Sequence, residues 1–313
     1  MSPRRSLVLL GMLAVLALLG PWLAPYDPGA VHRGYLHAPP MWPWVSDGFA
    51  IHPVVLEDQL QQRFAVDRSR TLALPWRAQA EPVFLFGADR SGRDVLSRVL
   101  AGSRVSLGLA LLAVIGAATC GALFGALAGA RGGLVDDVVM RVADFVLVLP
   151  ILYVIVVLRA AMPLVVSTGT VFAVTLVIFI VVGWPVVARG VRGVVAGEQA
   201  QEYVLAARAA GGSTAHLLRR HLLPACAGHL AVQASLLLPG FILAEATLSY
   251  LGLGFPDTVP TWGTMLRDAA DVNELTRFPW TLTPAAAIFL VTLVTNVLLQ
   301  GRPRPAAPEN VRG

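Results

Sequence analysis

The most restrictive feature of the sequence is a long stretch without any charge, from Val105 to Ala130, between Arg104 and Arg131. A helix needs about 20 apolar residues to cross the hydrocarbon core of a bilayer, and this stretch exceeds that length. It is also rich in Gly and Ala, the small residues that let helices pack closely in lipid. The stretch therefore predicts a membrane-spanning helix.

The composition of the whole chain extends this prediction. Of the 313 residues, 56% are apolar and only 14% are charged, and the mean hydropathy is +0.68. A typical soluble domain carries about 25% charged residues, and a soluble fold this apolar would expose large apolar patches. The composition excludes an ordinary cytosolic enzyme and a disordered chain, and it indicates a polytopic membrane protein.

Six apolar runs are candidate membrane spans, so the expected fold is all-α with six transmembrane helices. The predicted spans are approximately 7–24, 105–130, 138–158, 171–188, 225–250 and 284–300. The first run has the composition of a signal peptide, but Pro25 follows it directly and disfavours cleavage, so we interpret it as a retained helix. Six spans place both termini on the same side of the membrane.

The placement of Arg predicts which side that is. One set of segments is rich in Arg: it contains Arg4 and Arg5, Arg131, the 189–220 loop and the tail after residue 300. The short loops on the opposite side are poor in Arg. Because short cytoplasmic loops carry excess basic residues, both termini are expected to be cytoplasmic. The predicted organisation is 1–24 as the N-terminus and first helix, 25–102 as a large irregular extracytoplasmic segment, 103–300 as the membrane domain and 301–313 as a cytoplasmic tail.

The basic residues also exclude several function classes, because all of them are Arg and the chain has no Lys. A P-loop needs its Lys on the nucleotide phosphates, so the chain is not a P-loop NTPase, and Schiff-base enzymes are excluded as well. The net charge of +5 is explained by membrane orientation, so membrane lipid and not nucleic acid is the expected partner.

No catalytic or metal-binding set is recognisable. His216, His221 and His229 are five and eight residues apart, which does not match the i, i+4 pairing of metal-binding histidines. The two cysteines, Cys120 and Cys226, lie inside apolar runs, which argues against disulfides and Cys-rich zinc sites. We expect no catalytic residue, metal or cofactor in this chain.

The loop between the fourth and fifth spans has the strongest local pattern. Helix-forming residues from Ala200 to Ala210 are followed by Gly211 and Gly212, which end that helix. Ser213 can cap a second helix, which Pro224 is expected to stop before the fifth span. A small apolar face (Ala206, Ala207, Ala210) lies opposite a polar face (Glu202, Arg208, Arg219, Arg220). These residues alone leave a docking surface and a headgroup-bound connector equally open.

This loop resembles the EAA loop of ABC importer permeases. That pattern is Glu-Ala-Ala, three residues, Gly, nine residues, Ile, one residue, Leu-Pro. Leu205 stands at the Glu position and His221 at the Ile position, which questions any specific role of the motif Glu but not the geometry of the loop. The matching residues are Ala206, Ala207, Gly211, Leu223 and Pro224. We name the region of about 196–224 the EAA-type loop.

Further segments resemble, in the same order, the DppC/OppC-type permeases of the dipeptide/oligopeptide/nickel family. They are 22–28, 86–98, 132–144, 183–189, 245–254 and 261–266. The chain departs from that family at about 41–82, which looks like an insertion, and after residue 300, where the usual Gly-Asp-Gly-Leu-Arg-Asp ending is absent.

The resemblance implies a type I importer permease in the bacterial plasma membrane, forming half of a translocation pathway whose expected solute is a di- or oligopeptide. The resemblance implies three kinds of partner: a homologous second permease, two cytoplasmic ATPases that bind the ATP and Mg²⁺, and an extracytoplasmic solute-binding protein. The implied ATPase-coupling residues are Glu202, Tyr203, Ala206, Ala207, Arg208, Gly211, Leu223 and Pro224.

Two groups of charged residues have open roles. Glu245, near the outer end of the fifth span, either contacts the translocation pathway or accepts hydrogen bonds in helix packing. Asp136, Asp137, Arg141 and Asp144 either contact the ATPase or form a packing network at the interface.

The alternative function is a stand-alone channel or secondary transporter. Internal inverted repeats would favour it, and none is visible. An intramembrane enzyme would need paired ionisable residues in mid-span, which the sequence does not contain.

Overall fold

The computed structural model describes residues 3–44, 50–58, 62–73, 81–150, 153–154, 156–157, 167–270 and 272–300. Its helices are α1 Pro3–Leu23, α2 Val95–Arg131, α3 Gly133–Val148, α4 Thr168–Glu198, α5 Glu202–Ala209, α6 Thr214–Leu217, α7 Leu223–Ala225, α8 Ala227–Tyr250, α9 Trp262–Asp268, α10 Val272–Arg277 and α11 Thr283–Gln300. A π-helical turn, Leu218–Leu222, joins α6 to α7, and a 3₁₀ turn, Pro279–Leu282, precedes α11.

Within the described residues, four helical regions are long and apolar enough to cross a membrane. They are Val95–Arg131, Thr168–Glu198, Ala227–Tyr250 and Pro279–Asn296, and they overlap four of the six predicted spans. The first predicted span coincides with α1, whose apolar part Gly11–Leu23 is shorter. In the third, α3 ends at Val148 and much of the remainder lies outside the described residues. The mostly helical membrane architecture is confirmed, and the count of six remains a prediction.

Helix α2 is the centre of the bundle and packs against α1, α4 and α8. Its Gly-rich face lies directly on α4: an added Cβ at Gly121 would lie only 2.5 Å from Cβ of Val187. This close approach is the reason for the small residues in the sequence, since side chains here would separate the two helices.

Helix α2 begins earlier than the sequence predicted. The Asp94 carboxylate caps it by accepting a hydrogen bond of 2.7 Å from the Ser97 backbone N–H. The predicted boundary at 102/103 therefore falls inside a continuous helix. Arg104 bounded the uncharged stretch in the sequence, but the helix extends beyond it through Arg98, which is buried against acidic side chains.

Short strands occur where the sequence predicted irregular structure. They are β1 Pro43–Trp44, β2 Ala50–Ile51, β3 Val54–Asp58, β4 Arg63–Val66 and β5 Leu72–Ala73. β1, β2 and β5 form one antiparallel sheet in that spatial order, and β3 pairs with β4 as a hairpin. A small core of Ala38, Met41, Ile51, Val54, Phe84 and Ala88 lies beneath them. The all-α prediction is thus corrected to a mostly helical fold with a small β-containing segment.

Candidate functional site

The turn at Gly211 has a defined backbone geometry. Gly211 has φ of +88°, in the left-handed region that favours glycine. The Gly212 N–H donates to the Ala207 carbonyl at 3.0 Å, and the Gly211 N–H donates to the Arg208 carbonyl at 3.0 Å. These two bonds are the Schellman pattern that ends helices, so α5 ends as the sequence predicted.

The second half of the EAA-type loop differs in part from the prediction. Ser213 caps α6 as expected, by accepting a hydrogen bond of 3.3 Å from the His216 N–H. Pro224 does not stop the helix, which was predicted wrongly, because it lies in the first turn of α7 and the chain continues almost directly into α8. Proline is tolerated there since its missing N–H has no helical acceptor in a first turn.

Apolar side chains fix the loop to the ends of the long helices. Val204 of α5, Leu217 of α6 and Leu222 of the π-helical turn are all buried. Together with Cys226 they form one cluster with Ala126 of α2 and with Val187, Val191 and Val195 of α4. Burial of each large aliphatic side chain is worth about 1.5–3 kcal/mol, so the loop is attached to the helices as a packed unit.

Polar side chains make a second attachment. The Gln199 amide donates to the Gly129 carbonyl of α2 at 2.5 Å, and its oxygen accepts from the Arg208 guanidinium at 2.8 Å. The Tyr203 hydroxyl donates to the Glu198 carboxylate, and this hydrogen bond raises the pKa of Tyr203. Both contacts join α5 to the ends of α2 and α4.

The predicted coupling residues lie together on this loop. Ala207 and Leu223 are half-buried, while the remaining ones form its exposed surface: Glu202, Tyr203, Ala206, Arg208, Gly211 and Pro224. Leu205, at the Glu position of the motif, is also 49% exposed. The loop therefore presents a small-residue surface, which another protein can approach closely, on a firmly packed base.

Charged side chains of α3 pair with α4. Arg192 Nε donates to Asp136 Oδ1 at 2.9 Å, and Arg189 pairs with Asp144. Asp137 and Arg141 are exposed. Of the two roles left open by the sequence, helix packing is thus supported for Asp136 and Asp144.

Glu245 accepts hydrogen bonds inside the helix bundle. The hydroxyls of Ser106 of α2 and Ser249 of α8 donate to its two oxygens, each at 2.8 Å, and the Trp262 N–H of α9 donates to Ser106 Oγ at 3.1 Å. Glu245 is only 1% exposed in the isolated chain. A residue lining a pathway between two permeases would be exposed when one permease is considered alone, so this position favours the packing role.

Glu245 substitutions should separate those two roles. Glu245→Gln retains one acceptor oxygen. It should leave the midpoint of thermal unfolding nearly unchanged and should change the transport rate by less than about twofold. Glu245→Ala leaves the buried Ser106 and Ser249 hydroxyls unpaired and should destabilise the fold by about 2–4 kcal/mol. Thermal unfolding of the purified variants tests this. A pathway role would instead be indicated by lost transport in Glu245→Gln at unchanged stability.

Sequence reasoning missed a charge cluster that joins segment 86–98 to α9. Asp268 contacts Arg90 at 2.8 Å and Arg93 at 3.3 Å, and Arg93 also pairs with Asp89 at 2.7 Å. Burial raises the pKa of the Asp268 carboxyl although these arginines act to lower it. In the sequence, the charged residues of segment 86–98 indicated a family motif. They did not indicate that Asp268 of α9 would be the acidic residue with which they pair.

The described histidines are not gathered into a set of three metal ligands. The His216 and His221 rings are 6.1 Å apart, and His221 lies 5.7 Å from the Tyr203 ring. Across the described residues, no group of three or more His, Cys, Asp or Glu side chains is placed to hold a metal ion.

Two family models match the chain. The model for the binding-protein-dependent transport system inner membrane component matches residues 121–301, which include the whole EAA-type loop. The model for the N-terminal TM domain of oligopeptide transport permease C matches residues 5–40, which include most of α1.

Curated relatives agree with these matches. The oligopeptide transport system permease protein OppC of Bacillus subtilis is 36% identical over 217 residues, or 69% of this chain and 68% of the relative. The di/tripeptide transport system permease protein DppC of Pseudomonas aeruginosa is 33% identical over 297 residues, or 95% and 84%. The peptide transport system permease protein SapC of Escherichia coli is 32% identical over 291 residues, or 92% and 84%. The chain belongs to the family of inner membrane permease components of binding-protein-dependent transport systems.

Proposed function

We propose that this permease forms half of the translocation pathway of a peptide importer of type I architecture, driven by separate ATPases. A homologous second permease would form the other half, and an extracytoplasmic binding protein would deliver the peptide. Family membership supports the permease role, and the names of the relatives support peptide as the solute.

The observation that carries the proposal is the attachment of the EAA-type loop to the bundle. The loop exposes a small-residue face, while Val204, Leu217 and Leu222 are buried against the ends of α2 and α4. Because the loop is packed on the helices and is not a flexible linker, a docked ATPase that displaces its exposed face would also displace α2 and α4.

The proposed topology has six spans with both termini cytoplasmic, so segment 25–94 and the EAA-type loop lie on opposite sides. Ser69 and Ala210 are both exposed and are suited to labelling. In a chain whose Cys120 and Cys226 are replaced by Ala, Ser69→Cys should react with an impermeant maleimide in intact cells. Ala210→Cys should react only after the membrane is opened. Equal labelling of both from outside would contradict the topology.

ATP dependence provides the functional test. Because the chain has no Lys for a P-loop, the purified subunit alone should show no ATP turnover above a mock preparation. The complete complex in proteoliposomes, with its binding protein and a labelled tripeptide, should take up the peptide only when ATP reaches the ATPases. Uptake of the peptide by this subunit alone, without ATP, would indicate a stand-alone transporter.

A further inference from the structure

A polar cavity lies beside the EAA-type loop, at the end of α2. Its volume is about 560 Å³, and it lies between the last turn of α2 and the loop residues around Gly212. The polar part of its lining comes from Arg131, Arg208, Gln199 and Thr214. The apolar part comes from the buried side chains of Leu217 and Leu222. None of the described residues that line it is acidic.

Neither arginine side chain is ion-paired with an acidic residue within the described part of the chain. Among the described residues, the Arg131 side chain forms no ion pair or hydrogen bond, and the Arg208 side chain is bonded only to the neutral Gln199 amide. Two acidic residues close in the sequence are engaged elsewhere, Asp136 by Arg192 and Glu198 by Tyr203. The cavity therefore offers two guanidinium groups to an anion, with Gln199 orienting one of them.

The depth of the cavity follows from the length of α2. Arg104 and Arg131 bracket its uncharged stretch, which at 1.5 Å per residue is about 40 Å long. That length corresponds to the hydrocarbon core plus part of the headgroup regions of a bilayer. Arg131 is thus placed at the level of the lipid headgroups.

We propose that the cavity binds the phosphate of an anionic phospholipid from the adjacent leaflet. Guanidinium groups bind phosphate oxygens in paired, charge-assisted hydrogen bonds, and basic pockets between membrane helices accept anionic headgroups. Leu217 and Leu222 provide apolar contacts for the start of the acyl chains. A phosphate held between Arg131 and Arg208 would bridge the end of α2 to α5 and so stabilise the position of the loop. Lipid fits better than a docked ATPase, because the cavity lies at the end of a spanning helix while the Ala-rich surface is exposed on α5.

The test uses the purified full chain in neutral detergent, with thermal unfolding as the readout. Added phosphatidylglycerol should raise the unfolding temperature in a saturable way, whereas phosphatidylcholine and inorganic phosphate should not. Arg131→Gln should weaken the apparent affinity for phosphatidylglycerol about tenfold, and Arg131→Lys should retain most of it. Arg219→Gln is the matched control, because it removes the same charge from an exposed position on the same loop that does not line the cavity.

Three outcomes would overturn the proposal. Unchanged phosphatidylglycerol affinity in both Arg131→Gln and Arg208→Gln would place the lipid elsewhere. Equal stabilisation by inorganic phosphate would identify a free-anion site, and loss of bound lipid when the partner ATPases are added would assign the cavity to ATPase docking. Because no transport is measured, failure of this proposal is distinguishable from failure of the proposed function.

Discussion

Gly211→Val is expected to reduce ATP-driven peptide uptake at least tenfold while leaving membrane insertion unchanged. At φ of +88° a β-branched residue is strained by about 1–3 kcal/mol. A Cβ at Gly211 meets nothing within 4 Å, so the strain is purely conformational and is relieved by opening the turn between α5 and α6. The spanning helices do not depend on that turn. Uptake and ATPase co-purification, compared at equal membrane levels, measure the effect.

Gly197→Val is the matched control for this prediction. Gly197 lies in the last turn of α4, its Cβ position is equally open, and its backbone is not in the left-handed region. This variant should retain uptake within about twofold of wild type. Wild-type uptake by Gly211→Val would mean that the loop is only a connector between two spans.

Trp262→Ala should have the largest effect on stability, a loss of about 3–5 kcal/mol. Trp262 is 2% exposed and begins α9, and its indole N–H donates to the Val99 carbonyl of α2 at 3.0 Å. Its removal leaves a large cavity where α9 packs on α2 and α8. Thermal unfolding of the purified chain should show a strongly lowered midpoint.

Two further variants define the origin of that loss. Trp262→Phe preserves most of the volume and removes the indole hydrogen bond, so it should cost only about 1–3 kcal/mol. Trp42, which is 66% exposed, provides the control: Trp42→Ala should change stability by less than about 0.5 kcal/mol. Equal midpoints for Trp262→Ala and Trp42→Ala would refute the role of Trp262 as the anchor of α9.

Features determined by local chemistry were predictable from the sequence. The long uncharged stretch predicted the membrane-spanning part of α2, and the Gly pair with the following Ser213 predicted both the turn and its cap. The first depends on one contiguous run of residues, and the second depends on residues within a few positions of one another. The same reasoning failed at Pro224, because a proline can either end a helix or occupy its first turn, and the preceding residues alone do not decide between these.

Features determined by distant contacts were not predictable. Arg98 lies within α2, where its acidic neighbours Asp89 and Asp268, distant in the sequence or in another element, allow it to be buried. Glu245 bonds to Ser106, which is 139 positions away, so its packing role could not be separated from a pathway role by pattern alone. The strands of two to five residues are too short for the alternation of apolar and polar residues to predict them.

The most direct test of the account is crosslinking from the exposed face of α5. A photoreactive residue replacing Ala206 should form an adduct with an ATPase subunit in membranes that contain the complete complex, identified by mass spectrometry. The same residue at Ser69, expected on the opposite side of the membrane, should form none. An adduct at Ala206 is the result that ATPase docking on the EAA-type loop predicts. Absence of an ATPase adduct at Ala206 in an assembled, transport-active complex would contradict it.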